Sequence, residues 1–142
     1  MQFLQSTSPF IIWAELASLV LILLRILLAI MFIDGGRRHV ADPRGRGKGM
    51  GLSATFTFIL GVVEVMAGLL VLVGLWIQIA ALMLIAVMLG AIYFKVFVWK
   101  TGIYGDKNNG WYYDALLLAS AGILLTIGGG SISLAVFLNS NL

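Results

Sequence analysis

Among the charged or titratable residues that lie inside or beside apolar stretches of this sequence are Arg25, His39, Glu64, Lys95 and Asp114. Three tyrosines, Tyr93, Tyr112 and Tyr113, stand next to the last two. Together they offer what buried ion pairing and hydrogen bonding to a carbonyl headgroup require, namely carboxylates, basic groups and phenolic donors. Glu64 lies in an almost unbroken apolar run from Phe56 to Ile77, about the length of helix that crosses a bilayer core. An ionised carboxylate at such depth is disfavoured by roughly 2.5–3.5 kcal/mol on insertion scales, so it is expected to face a bundle interior and find a partner there. Gly61 and Gly68, three residues before it and four after, share its helical face and would let a second helix approach closely.

Arg25, within the apolar run from Phe10 to Ile33, is predicted to be that partner. It lies nine residues before Asp34, about 13 Å, and Glu64 lies eleven residues after Ser53, about 16 Å, so the depths agree within a side chain's reach. Snorkelling of Arg25 toward the headgroups is the competing reading. Lys95 sits about one turn before the end of a third apolar run and Asp114 about one turn into a fourth. The two are predicted to meet across a helical hairpin and close the mouth of a bundle, with the aromatic rings as its rim. The alternative is a snorkelling Lys95 and an Asp114 that serves only its helix dipole. Tyr93, Lys95, Tyr112, Tyr113, Asp114 and His39 map to one end and are the candidate contacts for a ligand or headgroup. No residue is assigned a catalytic role, and no metal site is assigned.

The elements that must position these residues follow from composition. Of 142 residues 61% are hydrophobic and 11% charged, with a mean hydropathy of +1.07, which describes an integral membrane protein. Apolar spans are predicted at about residues 10–33, 53–75, 76–98 and 111–127, the middle two joined by a very short turn near Gly74. The expected architecture is all-α, a four-transmembrane-helix antiparallel bundle forming a single domain over 1–142. Polar loops are expected at 34–52 and 99–110; they hold seven Lys or Arg, whereas the N-terminal tail, the 74–76 turn and the C-terminal tail hold none. The positive-inside bias then puts both loops in the cytoplasm and both termini outside. The first loop reads as a topology signal with some headgroup contact rather than a dedicated anion site.

A net charge of +3 confined to loops does not point to nucleic acid. Zero cysteines exclude disulfides, thiol redox chemistry and cysteine-held clusters, and one histidine cannot supply a two-histidine haem site. No cofactor is therefore encoded, and any redox role needs a diffusible carrier such as a quinone or one borne by a partner. Residues 1–9 lack the basic n-region of a signal peptide and read as a short tail of the mature chain.

Three groups of residues resemble the DoxX family of small four-helix membrane proteins. Arg25, Phe32, Gly36 and His39 follow the family's Arg, Phe, Gly and usually Lys at the same spacing. Glu64, Gly68 and Gly74, followed by QIAALMLIAVML, are similar to its Glu, Gly, Gly-Leu and Ala-rich helix. Gly110 to Asp114 lead a helix ending in Gly128, Gly130, Ser133 and Leu134, similar to its closing Gly-Pro-Gly and Ser-Leu-Asp pattern. The departures are His39 for Lys, Gly129 for Pro and Ala135 for Asp. The resemblance runs from about residue 20 to 135 and implies a four-helix protein of the inner membrane, some relatives being membrane subunits of quinone-linked sulfur oxidoreductases or redox-stress complexes.

Two functions fit these residues. One is a membrane module, surrounded by lipid and by protein partners, that anchors or stabilises a larger complex, redox-linked as the resemblance implies. The other is a quinone- or lipid-binding subunit of an oxidoreductase, at most a part of an enzyme that carries no cofactor of its own. Solute transport would call for polar residues along one pathway and helices broken at mid-membrane, which four mostly clean spans do not offer.

Overall fold

The computed structural model describes residues 9–105 and 109–140. They form the helices α1 (Pro9–Ala41), α2 (Pro43–Met50), α3 (Ala54–Val73), α4 (Ile77–Tyr93), α5 (Trp111–Ile127) and α6 (Leu134–Ser140), with a π-helical turn, Phe94–Val98, continuing α4. There is no strand among the described residues.

The first element departs from expectation. α1 does not stop at Ile33 but runs on through DGGRRHVA to Ala41. Asp34 and Arg38 are four residues apart and pair at 2.7 Å, the spacing that supports a helix, and nothing before Pro43 breaks it. Asp42 then caps α2, its carboxylate accepting from the Gly45 N–H at 2.9 Å, with Pro43 at the first helical position. Most of the expected 34–52 loop is therefore helical. α6 also forms, within the expected C-terminal tail.

α3 begins at Ser53, whose hydroxyl accepts from the Phe56 N–H at 3.2 Å, and ends at Gly74, in the left-handed region at φ +76°, whose N–H donates to Leu70. The turn to α4 takes only Gly74 to Trp76, which makes α3 and α4 antiparallel neighbours as expected. α1 packs along α3, α3 on α4, α4 on α5, and α5 touches α1. The α1–α3 contact is close because both helices carry glycine at the crossing. A Cβ on Gly36 would lie 2.6 Å from the Gly61 carbonyl oxygen, one on Gly61 equally close to that of Gly36, and one on Gly68 2.9 Å from Ile33. Ala67, Ala80, Ala81 and Ala121 are fully buried and close the remaining seams around Leu28, Leu84 and Leu124.

The outer surface is apolar. Leu19, Leu23, Ile30, Ile59, Leu69, Leu82 and Leu89 are all exposed, an arrangement that lipid solvates and water does not. Three helical stretches, Leu16–Ala41, Ala54–Val73 and Ile77–Val98, are long and apolar enough to cross a membrane; α5 is apolar but shorter, at 17 residues. The chain is a multi-pass membrane protein. Its helices alternate in direction, so α2, the start of α3, the π turn and the start of α5 share one end, here the polar end.

Candidate ligand-binding site

The residues at the polar end are brought together around one cavity of about 720 Å³. α1 brings His39 to it, α3 Glu64, the π turn Lys95, and α5 Tyr113 and Asp114. His39 Nδ1 lies 2.9 Å from Glu64 Oε2. With Glu64 ionised, Nδ1–H is the donor, which leaves the second ring nitrogen able to bond elsewhere. Across the cavity, Lys95 Nζ lies 2.6 Å from Asp114 Oδ2, an ion pair whose angles are not those of a directed hydrogen bond. All four side chains are largely buried. Ile30, Met31, Phe32, Met88 and Leu117 supply apolar wall, and Asp34, Arg38, Arg46 and Asn109 the polar remainder.

Each of these positions has a local cause. Lys95 sits on the five-residue π turn, which widens the helix end; the Thr101 N–H caps the Lys95 carbonyl at 2.7 Å. Asp114 is in the first turn of α5, and that turn is seated by the preceding chain: the Gly110 N–H bonds Tyr104 at 3.0 Å and the Tyr112 N–H bonds Ile103 at 3.2 Å. Gly110 has to be glycine, because a Cβ would run into the Ile103 carbonyl.

Arg25 and Glu64, expected to pair, do not. Arg25 Nε donates to the Val71 carbonyl at 2.9 Å, Nη2 to Leu72 at 2.8 Å, and Nη1 to Gly129 at 3.0 Å and Ile132 at 2.7 Å. Asp34 is not the end of the first helix, so the two depths do not agree. Counted from Ala41, Arg25 is sixteen residues in, about 24 Å, and lies level with the far end of α3. There it caps the last carbonyls of α3, where the helix dipole is negative, and holds the 128–133 turn across the bundle end. Gly74 is again required: a Cβ there would meet the Arg25 guanidinium. Glu64 is buried as expected, with His39 as its partner.

Two of the three candidate tyrosines do not reach the cavity. Tyr93 is exposed on the outer surface against Phe94 and Phe97. It precedes Lys95 by two residues, which on a helix is nearly the opposite face. The Tyr112 ring packs on Tyr104, 5.6 Å between centroids, one residue and about 100° from Tyr113. The polar cavity residues that the sequence does not single out are Asp34, Arg38, Arg46 and Asn109. The first two had a signal in their i,i+4 spacing, which marks a helix rather than a loop. Among the described residues no group of three or more His, Asp or Glu could hold a metal ion.

No curated protein and no solved structure matches the chain. The DoxX family matches it over residues 20–98, a segment that holds Arg25, the Gly36–Gly61 crossing, the His39–Glu64 pair and Lys95. That match covers more than half of the sequence, and the chain belongs to the DoxX family.

Proposed function

We propose that this chain is a membrane subunit of a redox-linked assembly and that its polar-end cavity takes the headgroup of a quinone-like lipid. The observation that carries this reading is the convergence of the Lys95–Asp114 ion pair, the hydrogen-bonded His39–Glu64 pair and a phenol on one cavity with apolar walls. Its volume falls within the range of small-molecule sites, roughly 300–1,000 Å³. Each of the three carboxylates on the wall has a basic partner, Asp34 with Arg38, Glu64 with His39 and Asp114 with Lys95. The cavity thus offers donors without a strong negative field, which suits a neutral ring bearing carbonyl oxygens better than a free cation. Electrons would reach the ring from a partner protein, since the chain has no cysteine to hold a cluster. In this reading α5 is the fourth span of an antiparallel bundle in the inner membrane, with the polar end in the cytoplasm and both termini outside.

Organic extraction of the protein purified in mild detergent tests the proposal. Quinone close to one per chain is expected, with a clear loss in Lys95→Met and in Tyr113→Phe. Extracts free of quinone from preparations that retain phospholipid would overturn it. A second reading, a module that only anchors or stabilises a complex, is favoured by Arg25, whose four bonds all go to backbone and serve the fold alone.

A further inference from the structure

The α1–α3 seam has a second flank. A separate groove of about 410 Å³ runs along it, walled by Val40 and Ala41 of α1 and Val62, Val65 and Met66 of α3, with Arg37 as its one charged residue. It exists because glycines set the crossing: where Gly36 and Gly61 bring the backbones together, the valines and Met66 stand to one side and leave a channel between the two helices. Arg37 is exposed and, unlike Arg38, has no acidic partner among the described residues. A guanidinium without a counter-ion beside an apolar channel on the surface of a membrane protein matches one chemistry, an anionic headgroup attached to an acyl chain. Arg44, Arg46 and Lys48 of α2 lie at the same end, exposed and likewise without acidic partners among the described residues, and they add to the positive field there.

We infer that this groove is a binding site for an anionic phospholipid, with an acyl chain lying along Val62, Val65 and Met66 and the phosphate on Arg37. The site is independent of the polar-end cavity, from which it is separated by the glycine seam, and it stands whether or not that cavity holds a quinone. Its specificity is for charge: a zwitterionic lipid fills the channel equally well but gives Arg37 a phosphate whose charge is already balanced.

The test is native mass spectrometry of the whole protein in mild detergent, titrated in parallel with phosphatidylglycerol and with phosphatidylcholine of the same acyl chains. One well-placed arginine should favour phosphatidylglycerol by about fivefold. In Arg37→Gln that preference should fall at least twofold, the remainder coming from the field of the α2 cations, with melting unchanged because the Arg37 side chain makes no hydrogen bond or ion pair among the described residues. Val62→Phe, which fills the channel, should lower retention of both lipids and leave Arg37 in place. Equal retention of the two lipids by the unmodified protein, or an undiminished preference in Arg37→Gln, would overturn the inference. So would a concentration-dependent dimer that excludes lipid from this face, since the groove would then be covered by a second copy.

Discussion

Replacing Arg25 by leucine removes the donors that satisfy the carbonyls of Val71, Leu72, Gly129 and Ile132. In an apolar setting that loss is expected to cost about 3–5 kcal/mol, in the range of other broken buried charge networks. Arg25→Lys keeps the charge but offers one donor nitrogen in place of a planar fork, so more than about 1 kcal/mol should still be lost. Equilibrium unfolding in detergent measures both. The same assay separates the observed pairing from the one expected from sequence. Val71 lies seven residues beyond Glu64 on α3, about 10 Å, so Arg25→Leu and Glu64→Leu should add to within about 0.5 kcal/mol. His39→Leu and Glu64→Leu should instead cost together clearly less than their sum, because either change alone strands its partner. At this scale the sequence showed that Glu64 and Arg25 had to be satisfied inside the bundle, but not by what. Backbone carbonyls are present at every residue and leave no mark in a sequence, so Arg25 had no visible alternative to a carboxylate.

Helix crossings give the sharpest contrast between elements. Gly36→Ala and Gly61→Ala each place a methyl group within 2.6 Å of a backbone oxygen of the facing helix, so α1 and α3 must part. Losses of about 1–3 kcal/mol are expected, as for other overpacked sites. Gly90→Ala in α4 and Gly122→Ala in α5 meet nothing within 4 Å and should be neutral or stabilising by up to about 1 kcal/mol, the helix preference of alanine over glycine. Melting temperatures of the four variants check this, and loss in all four would mean that the close approach is not what makes Gly36 and Gly61 necessary. The Glu64 face with its two glycines was legible because i, i+3 and i+4 spacing fixes a helical face whatever the tertiary fold. The extension of α1 to Ala41 was hidden by composition. Charges and glycines suggested a loop, while the evidence for a helix lay in the Asp34–Arg38 spacing and in Pro43 as the first breaker. A further consequence of that extension is that the polar end begins deeper along α3 than the sequence suggested, which brings His39 level with Glu64.

For the whole molecule, the alternation of apolar spans with basic segments made the all-α membrane architecture readable from sequence, since only complete hydrogen bonding within helices satisfies the backbone in lipid. The assembly of one cavity from five separate helices, α1 to α5, was less readable. Lys95 and Asp114 could be matched by their turn positions, but Tyr93 and Tyr112 required the helix rotation and the π turn, which apolar periodicity in a lipid-exposed helix does not encode. Orientation is testable by cysteine accessibility. Gly49→Cys, in open space on α2, should resist an impermeant reagent in intact cells, and Asn139→Cys, exposed on α6, should be labelled. The reverse pattern would invert the topology. The proposed occupant of the cavity is tested most directly by photolabelling the membrane-embedded protein with an azido-quinone and mapping the attachment points. The account predicts label within residues 30–39 and 109–117, competed by excess unlabelled quinone and reduced by Lys95→Met. Label spread over lipid-facing residues such as Leu23 and Leu82, with no competition, would contradict it.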